Sequence, residues 1–154
     1  MSETANEINS FMLPLANGDL VIPDQAVSEL LPFMNVDTRP AEGKPEWFVG
    51  LLNWRGQKVP LLSLEAMSGV ADLSEIRRSR IAVVATVNQN ARMPHVALLV
   101  TGIPRLFQVT PENCELVSDT PDRIGVKAIA NLDGKEVMIP DLEILESKAL
   151  DAVA

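Results

Sequence analysis

The sequence predicts a mainly β protein: one domain of short strands with a few short helices and a longer helix at its C-terminus. Two local signals point there. Asn17-Gly18 and Asp133-Gly134 each stand between short apolar runs, a strong signal of a β-hairpin. Ile81-Ala-Val-Val-Ala-Thr-Val87 is an unbroken β-prone run, the pattern of a strand buried on both faces. The totals agree, since 154 residues fit the size of one domain, and a hydrophobic share of 47% is enough to offset the ordering entropy of folding.

The elements follow in order. Residues 1–10 are polar up to Asn9 and read as a flexible tail, so the domain is placed at 11–154. Phe11 to Ala16 and Leu20 to Pro23 form strands around the Asn-Gly turn. Asp24 then suits a helix start, and Ala26, Val27, Leu30 and Leu31 recur at helical spacing until Pro32, predicting a short amphipathic helix. Residues 35–46 carry Pro40, Gly43 and Pro45 without apolar periodicity and read as a loop. Trp47 to Leu52 and Val59 to Leu62 are strands around Asn53-Trp-Arg-Gly56, and Ser63 caps one helical turn ending near Gly69.

Residues 71–80 read as a polar loop before the Ile81 strand, which pairs with His95 to Val100 across residues 88–94. Ile103 to Val109 is extended until Thr110-Pro111-Glu112 breaks it, and Val126 to Leu132 and Lys135 to Ile139 make a hairpin on Asp133-Gly134. Leu142, Leu145, Ala149, Leu150 and Val153 then share a helix face, with Asp141 as the cap and Glu143, Glu146 and Asp151 mostly opposite. One theme recurs: Gly18 before Val21-Ile-Pro-Asp24, Gly56 before Val59-Pro-Leu-Leu-Ser63, and Gly134 before Val137-Met-Ile-Pro-Asp141. It fits two pseudo-equivalent barrels and independent hairpins with common turn chemistry equally well.

Several functions have little support. A net charge of -8 opposes phosphate backbones, and the only basic cluster, Arg77, Arg78 and Arg80, reads as a solvated edge. An oligonucleotide-binding barrel would need a basic, aromatic-lined groove, and there is no tyrosine. Cys114 alone makes no internal disulfide, the N-terminus lacks a signal-peptide pattern, and no run nears the roughly 20 apolar residues that span a bilayer, so a cytoplasmic protein is expected. His95, the one imidazole, has no metal-ligand neighbours in sequence and reads as structural or surface. Cys114 sits among Glu112 and Glu115, which oppose a thiolate, and reads as packing; an enzyme would need a pocket joining His95 or Cys114 to carboxylates. Asp72 with Glu75 and Asp119 with Asp122 lie in polar loops, Gly102 is isolated, and the six methionines suit core filling.

Trp47-Phe-Val-Gly-Leu-Leu-Asn-Trp-Arg-Gly56 stands apart, with Trp and Arg at a hairpin tip. Both types are enriched at binding hot spots; equally, the aromatics suit a core and the arginine solvent. Phe48-Val-Gly-Leu-Leu-Asn-Trp-Arg-Gly-Gln-Lys-Val-Pro-Leu-Leu-Ser-Leu64 resembles the signature of the CheW-like family of chemotaxis coupling proteins: Gly, two apolar positions, Asn-x-Arg-Gly, then Val-Pro and a short helix. The similarity continues through Leu20 to Leu31 before it and Val96 to Asn113 after it.

The resemblance implies two small SH3-like five-stranded β-barrels around a shared core, without catalytic residues, cofactor or metal. It also implies a non-enzymatic signalling adaptor between the cytoplasmic tip of methyl-accepting chemoreceptors and the regulatory domain of a CheA-type histidine kinase, serving chemotaxis or twitching motility. Asn53, Arg55 and Gly56 match Asn-x-Arg-Gly and, with Trp54, are the candidate partner-binding residues; Arg55 is the candidate receptor contact. Ser63 and Thr101 stand where the family usually has Asp, and Trp54 replaces a commonly aliphatic residue; the short acidic chain resembles auxiliary CheW-like proteins of pilus-linked systems. The alternative is a CheW-like scaffold with other protein partners that no longer contacts the kinase.

Overall fold

The computed structural model describes residues 7–16, 18–67, 69, 78–87 and 93–153. As expected, the protein is mainly β, with two curled sheets and a C-terminal helix. The terminal sheet takes strands from both ends of the chain: β1 (Ile8–Leu15), β2 (Gly18–Pro23), β9 (Arg105–Val109), β10 (Cys114–Ser118), β11 (Val126–Leu132) and β12 (Lys135–Pro140), in the order β10-β11-β12-β2-β1-β9. The central sheet is β3 (Val27–Pro32), β4 (Val36–Asp37), β5 (Phe48–Trp54), β6 (Gln57–Leu62), β7 (Arg80–Ala85) and β8 (His95–Val100), in the order β3-β7-β8-β6-β5-β4. Among the described residues each half-barrel therefore has six strands, one more than five, because the short or irregular edge strands β4 and β10 also pair.

Two of the three occurrences of the recurring theme, at Gly56 and Gly134, mark an equivalence between the sheets. In each sheet two hairpins meet in one parallel contact, β12 with β2 and β6 with β8, and the remaining pairings are antiparallel. The strands after Gly56 and Gly134 run into capped helices, whereas the strand after Gly18 runs into a 3-10 turn with no side-chain cap. Ser63 Oγ accepts from the Ala66 N–H at 3.2 Å at the start of α1 (Leu64–Met67). Asp141 Oδ1 accepts from the Ile144 N–H at 3.2 Å at the start of α2 (Leu142–Val153). Such caps satisfy donors that have no partner inside the helix.

Alternation along the strands builds three cores. Leu13, Leu20 and Ile22 of one sheet and Ala82, Leu98 and Val100 of the other face a shared core, which α1 and α2 complete with Leu64, Leu145 and Ala149. The intervening residues face the curl of their own sheet: Met12, Val21, Ala130, Leu132 and Val137 in the terminal one, and Leu52, Trp54, Val59, Leu61, Ile81, Val83, Ala97 and Leu99 in the central one. Strands buried on both faces explain the continuous apolar runs, and each fully buried aliphatic side chain contributes about 1.5–3 kcal/mol.

Some expectations need correction. The predicted helix from Asp24 to Leu31 is a single 3-10 turn, Asp24–Ala26, followed by β3. Eight residues make at most about four helical hydrogen bonds, too few to offset a costly helix nucleus, whereas the edge of β7 offers a ladder from Val27↔Val84 to Pro32↔Arg80. The strand that opens the fold starts at Ile8 and takes in Ile8 to Ser10 of the expected tail, because β9 pairs with them and Ser10 is only 2% exposed. β10 lies in a stretch where the acidic residues hid it. In α2, Glu146 is buried and Val153 exposed, the reverse of their expected faces. Residues 1–6 of the expected tail, Asn17, and residues 71–77 and 88–92 of the expected loops lie outside the described residues.

Candidate functional site

The β5–β6 hairpin closes with Trp54 opposite Gln57, which leaves Arg55 and Gly56 as a two-residue turn. Their φ angles of 49° and 76° put both residues in the left-handed region, as a type I′ turn requires. Glycine takes that region freely, but an arginine there costs of order 1–2 kcal/mol unless its surroundings compensate. Two contacts hold the side chain, and a third fixes its support. The Arg55 Nη2 donates to Glu29 Oε1 at 3.2 Å, the Trp54 indole N–H donates to the same oxygen at 2.9 Å, and the guanidinium carbon lies 4.7 Å from the centre of a Trp54 ring. One carboxylate oxygen on β3 therefore ties down both tip residues, and the indole forms a platform under the cation.

Behind Trp54 stands His95, at the head of β8, with the ring centres 4.7 Å apart and the planes at 66°. Edge-to-face contact of this kind adds to the burial energy of the rings. Burial, and secondarily the Arg55 charge, hold the His95 pKa below its ordinary value, which favours the neutral ring. The buried Nδ1 has no hydrogen-bond partner among the described residues. An imidazolium there would be repelled by the nearby Arg55 charge. Cys114 stands in the other sheet, on an open surface pocket that Glu112, Glu115 and Asp133 also line, while His95 packs on Trp54; no group of three or more potential metal ligands occurs among the described residues.

The four candidate residues divide into two kinds. Asn53, Arg55 and Gly56 are exposed, and the Arg55 side chain has 67% of its surface in solvent. Trp54 is 7% exposed; it fills the central half-barrel and supports the arginine, so the indole is itself no open contact surface. The Asn53 N–H donates to the Asn35 carbonyl at 2.9 Å, which fastens the base of the tip to the segment before β4. Gly50, earlier in the same motif, has φ 156°, and a Cβ there would run into the Asp37 carbonyl of β4. The motif glycines thus serve different ends, one admitting a neighbouring strand and one turning the chain. Glu29 and His95 were not recognised as parts of this site. Glu29 is 25 positions from Trp54 in a segment with helical spacing, and nothing local in the sequence joins them.

The departures from the family pattern also find places. Ser63 is buried and caps α1, a task that an aspartate performs equally well, so this change stays inside the fold. Thr101 is exposed, and its hydroxyl donates to the Pro14 carbonyl at 3.0 Å.

Residues 10–149 match the family model described as the CheW-like domain. Among solved structures, the chain is similar to the scaffolding protein TtCheW from Thermoanaerobacter tengcongensis, with a TM-score of 0.72, 21% identity, and coverage of 90% of this chain and 86% of that one. No curated protein matches. No helix among the described residues is long and apolar enough to cross a membrane. With the family model covering most of its length, the chain belongs to the CheW-like domain family.

Proposed function

We propose that the protein is a cytoplasmic, non-enzymatic signalling adaptor. It joins the cytoplasmic tip of a methyl-accepting chemoreceptor to the regulatory domain of a CheA-type histidine kinase, and the exposed residues of the Asn53–Gly56 turn contact the partner. The observation that carries this reading is the cation at the tip. Arg55 is left largely in solvent, yet it is oriented by Glu29 and by the Trp54 platform, in a backbone conformation that arginine rarely takes. A directional donor held this way loses little freedom on binding, which favours recognition of a carboxylate or a carbonyl cluster. The working unit is the domain at 11–154, extended to the strand start at Ile8.

The test is a pull-down from lysate of the source cell with the purified chain and Arg55→Ala side by side. Recovery of a histidine kinase or chemoreceptor by the parent chain, weakened in the variant, supports the adaptor. Recovery of neither, with other proteins captured instead, supports the scaffold with other partners that no longer contacts the kinase. Equal recovery by both chains removes the turn from the interface.

A further inference from the structure

The curl of the terminal sheet is only partly filled. A cavity of about 220 Å³ opens inside it, floored by Val21, Ala130, Leu132 and Val137 and rimmed by Ile8 and Val109. Its polar side chains are Ser10 and Cys114, and the Ser10 Oγ donates to the Ile8 carbonyl at 3.3 Å. Water in a cavity needs two to four polar partners, and this one offers few; a dry apolar cavity of about 150 Å³ is already enough to hold benzene.

The other half-barrel shows what such a space holds when it is filled. Matching the two sheets by turn and register places Leu132, before the Asp133-Gly134 turn, where Trp54 stands before Arg55-Gly56. Ala130, opposite Val137, corresponds to Leu52, opposite Val59. Ser10, two positions before the Met12↔Val21 pair, corresponds to Ile81, two before Val83↔Ala97. At all three positions the terminal sheet carries the smaller side chain. Met12 and Val21 are larger than the matched Val83 and Ala97 and take back part of the space, and the remainder of the difference stays open as the cavity.

We propose that the interior of the terminal half-barrel is a binding site for a small uncharged aromatic compound of one or two fused rings, seated where the central half-barrel seats the Trp54 indole. The walls select for it. They offer apolar surface to a flat ring and no counter-charge to an ionised group, whose burial unpaired costs far more than the contact returns. This site lies in the other sheet from the Arg55 turn, and its test is independent of the adaptor reading.

The experiment titrates indole into the full chain, following the methyl resonances of Val21, Leu132, Val137 and Ile139 and the alkylation rate of Cys114. Saturable shifts confined to those methyls, with slowed alkylation of Cys114, are expected. Indole-3-acetate, which carries a charge, should bind more weakly. Ala130→Leu, which restores the central sheet's residue, should weaken indole by at least about tenfold, since a site that small cannot admit both. Ser10→Val fills the same space from β1 and serves if Ala130→Leu does not fold. The proposal is overturned if the parent chain shows no saturable shift at these methyls, if indole-3-acetate binds as well as indole, or if a folded filled variant binds indole undiminished.

Discussion

The hairpins that turn at Arg55-Gly56 and at Asp133-Gly134 share a backbone and differ in what stands on it. Both turns have two residues at positive φ, 49° and 76° in one and 50° and 82° in the other. Both are followed by a strand in parallel contact with another hairpin, and then by a capped helix. Yet one carries an aromatic plug with a cation held on it, and the other carries a leucine over a cavity. The backbone decides where a side chain can be placed, and a few matched positions decide whether the place becomes a closed interior with a presented charge or an open one. Fold and role separate here within a single chain.

The difference can be tested from its largest expected effect to its smallest. Trp54→Ala empties the central curl and removes the platform, and should cost about 3–5 kcal/mol in denaturant unfolding. Leu132→Ala at the matching position borders space that is already open, so its cost should lie near the lower end for leucine, about 2 kcal/mol. Equal losses would show that the two interiors are packed alike. Glu29→Ala strands the buried indole N–H and should cost about 1–3 kcal/mol, with Glu29→Gln recovering most of it through its amide oxygen. No loss from Glu29→Ala would mean that the indole finds another acceptor.

His95 makes the comparison depend on pH. Its folded pKa is depressed, so the unfolded chain binds the proton first as pH falls past about 6.5. Stability should therefore drop below that pH, down to the folded pKa, and His95→Gln should flatten the decline in a series of thermal melts. A melting temperature that rises with acid over this window would contradict the depressed pKa. The smallest stability effect is Arg55→Gly. Relief of the left-handed conformation offsets the added freedom of the unfolded chain and the lost ion pair, leaving a net change within about 0.5 kcal/mol. Partner capture should nevertheless fall sharply, which separates the role of the side chain from that of the turn.

Much of the fold was legible because it rests on short-range chemistry. The Asp133-Gly134 turn, the two-sided burial of Ile81 to Val84, the caps at Ser63 and Asp141 and the motif hairpin all follow from neighbouring residues. What was missed depends on partners far along the chain. β3 is a strand because β7 lies beside it, and β10 pairs in spite of Glu115 and the acidic residues before it because β11 supplies the ladder. For the site, the turn was visible, whereas its anchor Glu29 and its backing ring His95 became neighbours only when the central sheet curled. The cavity is an absence of volume, and only the matched register of the two sheets reveals it.

The order of the strands also bears on biosynthesis. Every strand of the central sheet lies between Val27 and Val100, so that sheet can be complete once the ribosome has released this stretch. The β1–β2 hairpin emerges earlier, but its neighbours β9 and β12 are translated only after the central sheet. Two apolar strands thus wait through most of synthesis with both outer edges unpaired, and closing so long a loop is slow. The vulnerable period of this protein falls on the nascent chain, and the exposed part is its first hairpin, which makes Ile8 to Pro23 the natural segment for a chaperone to shield.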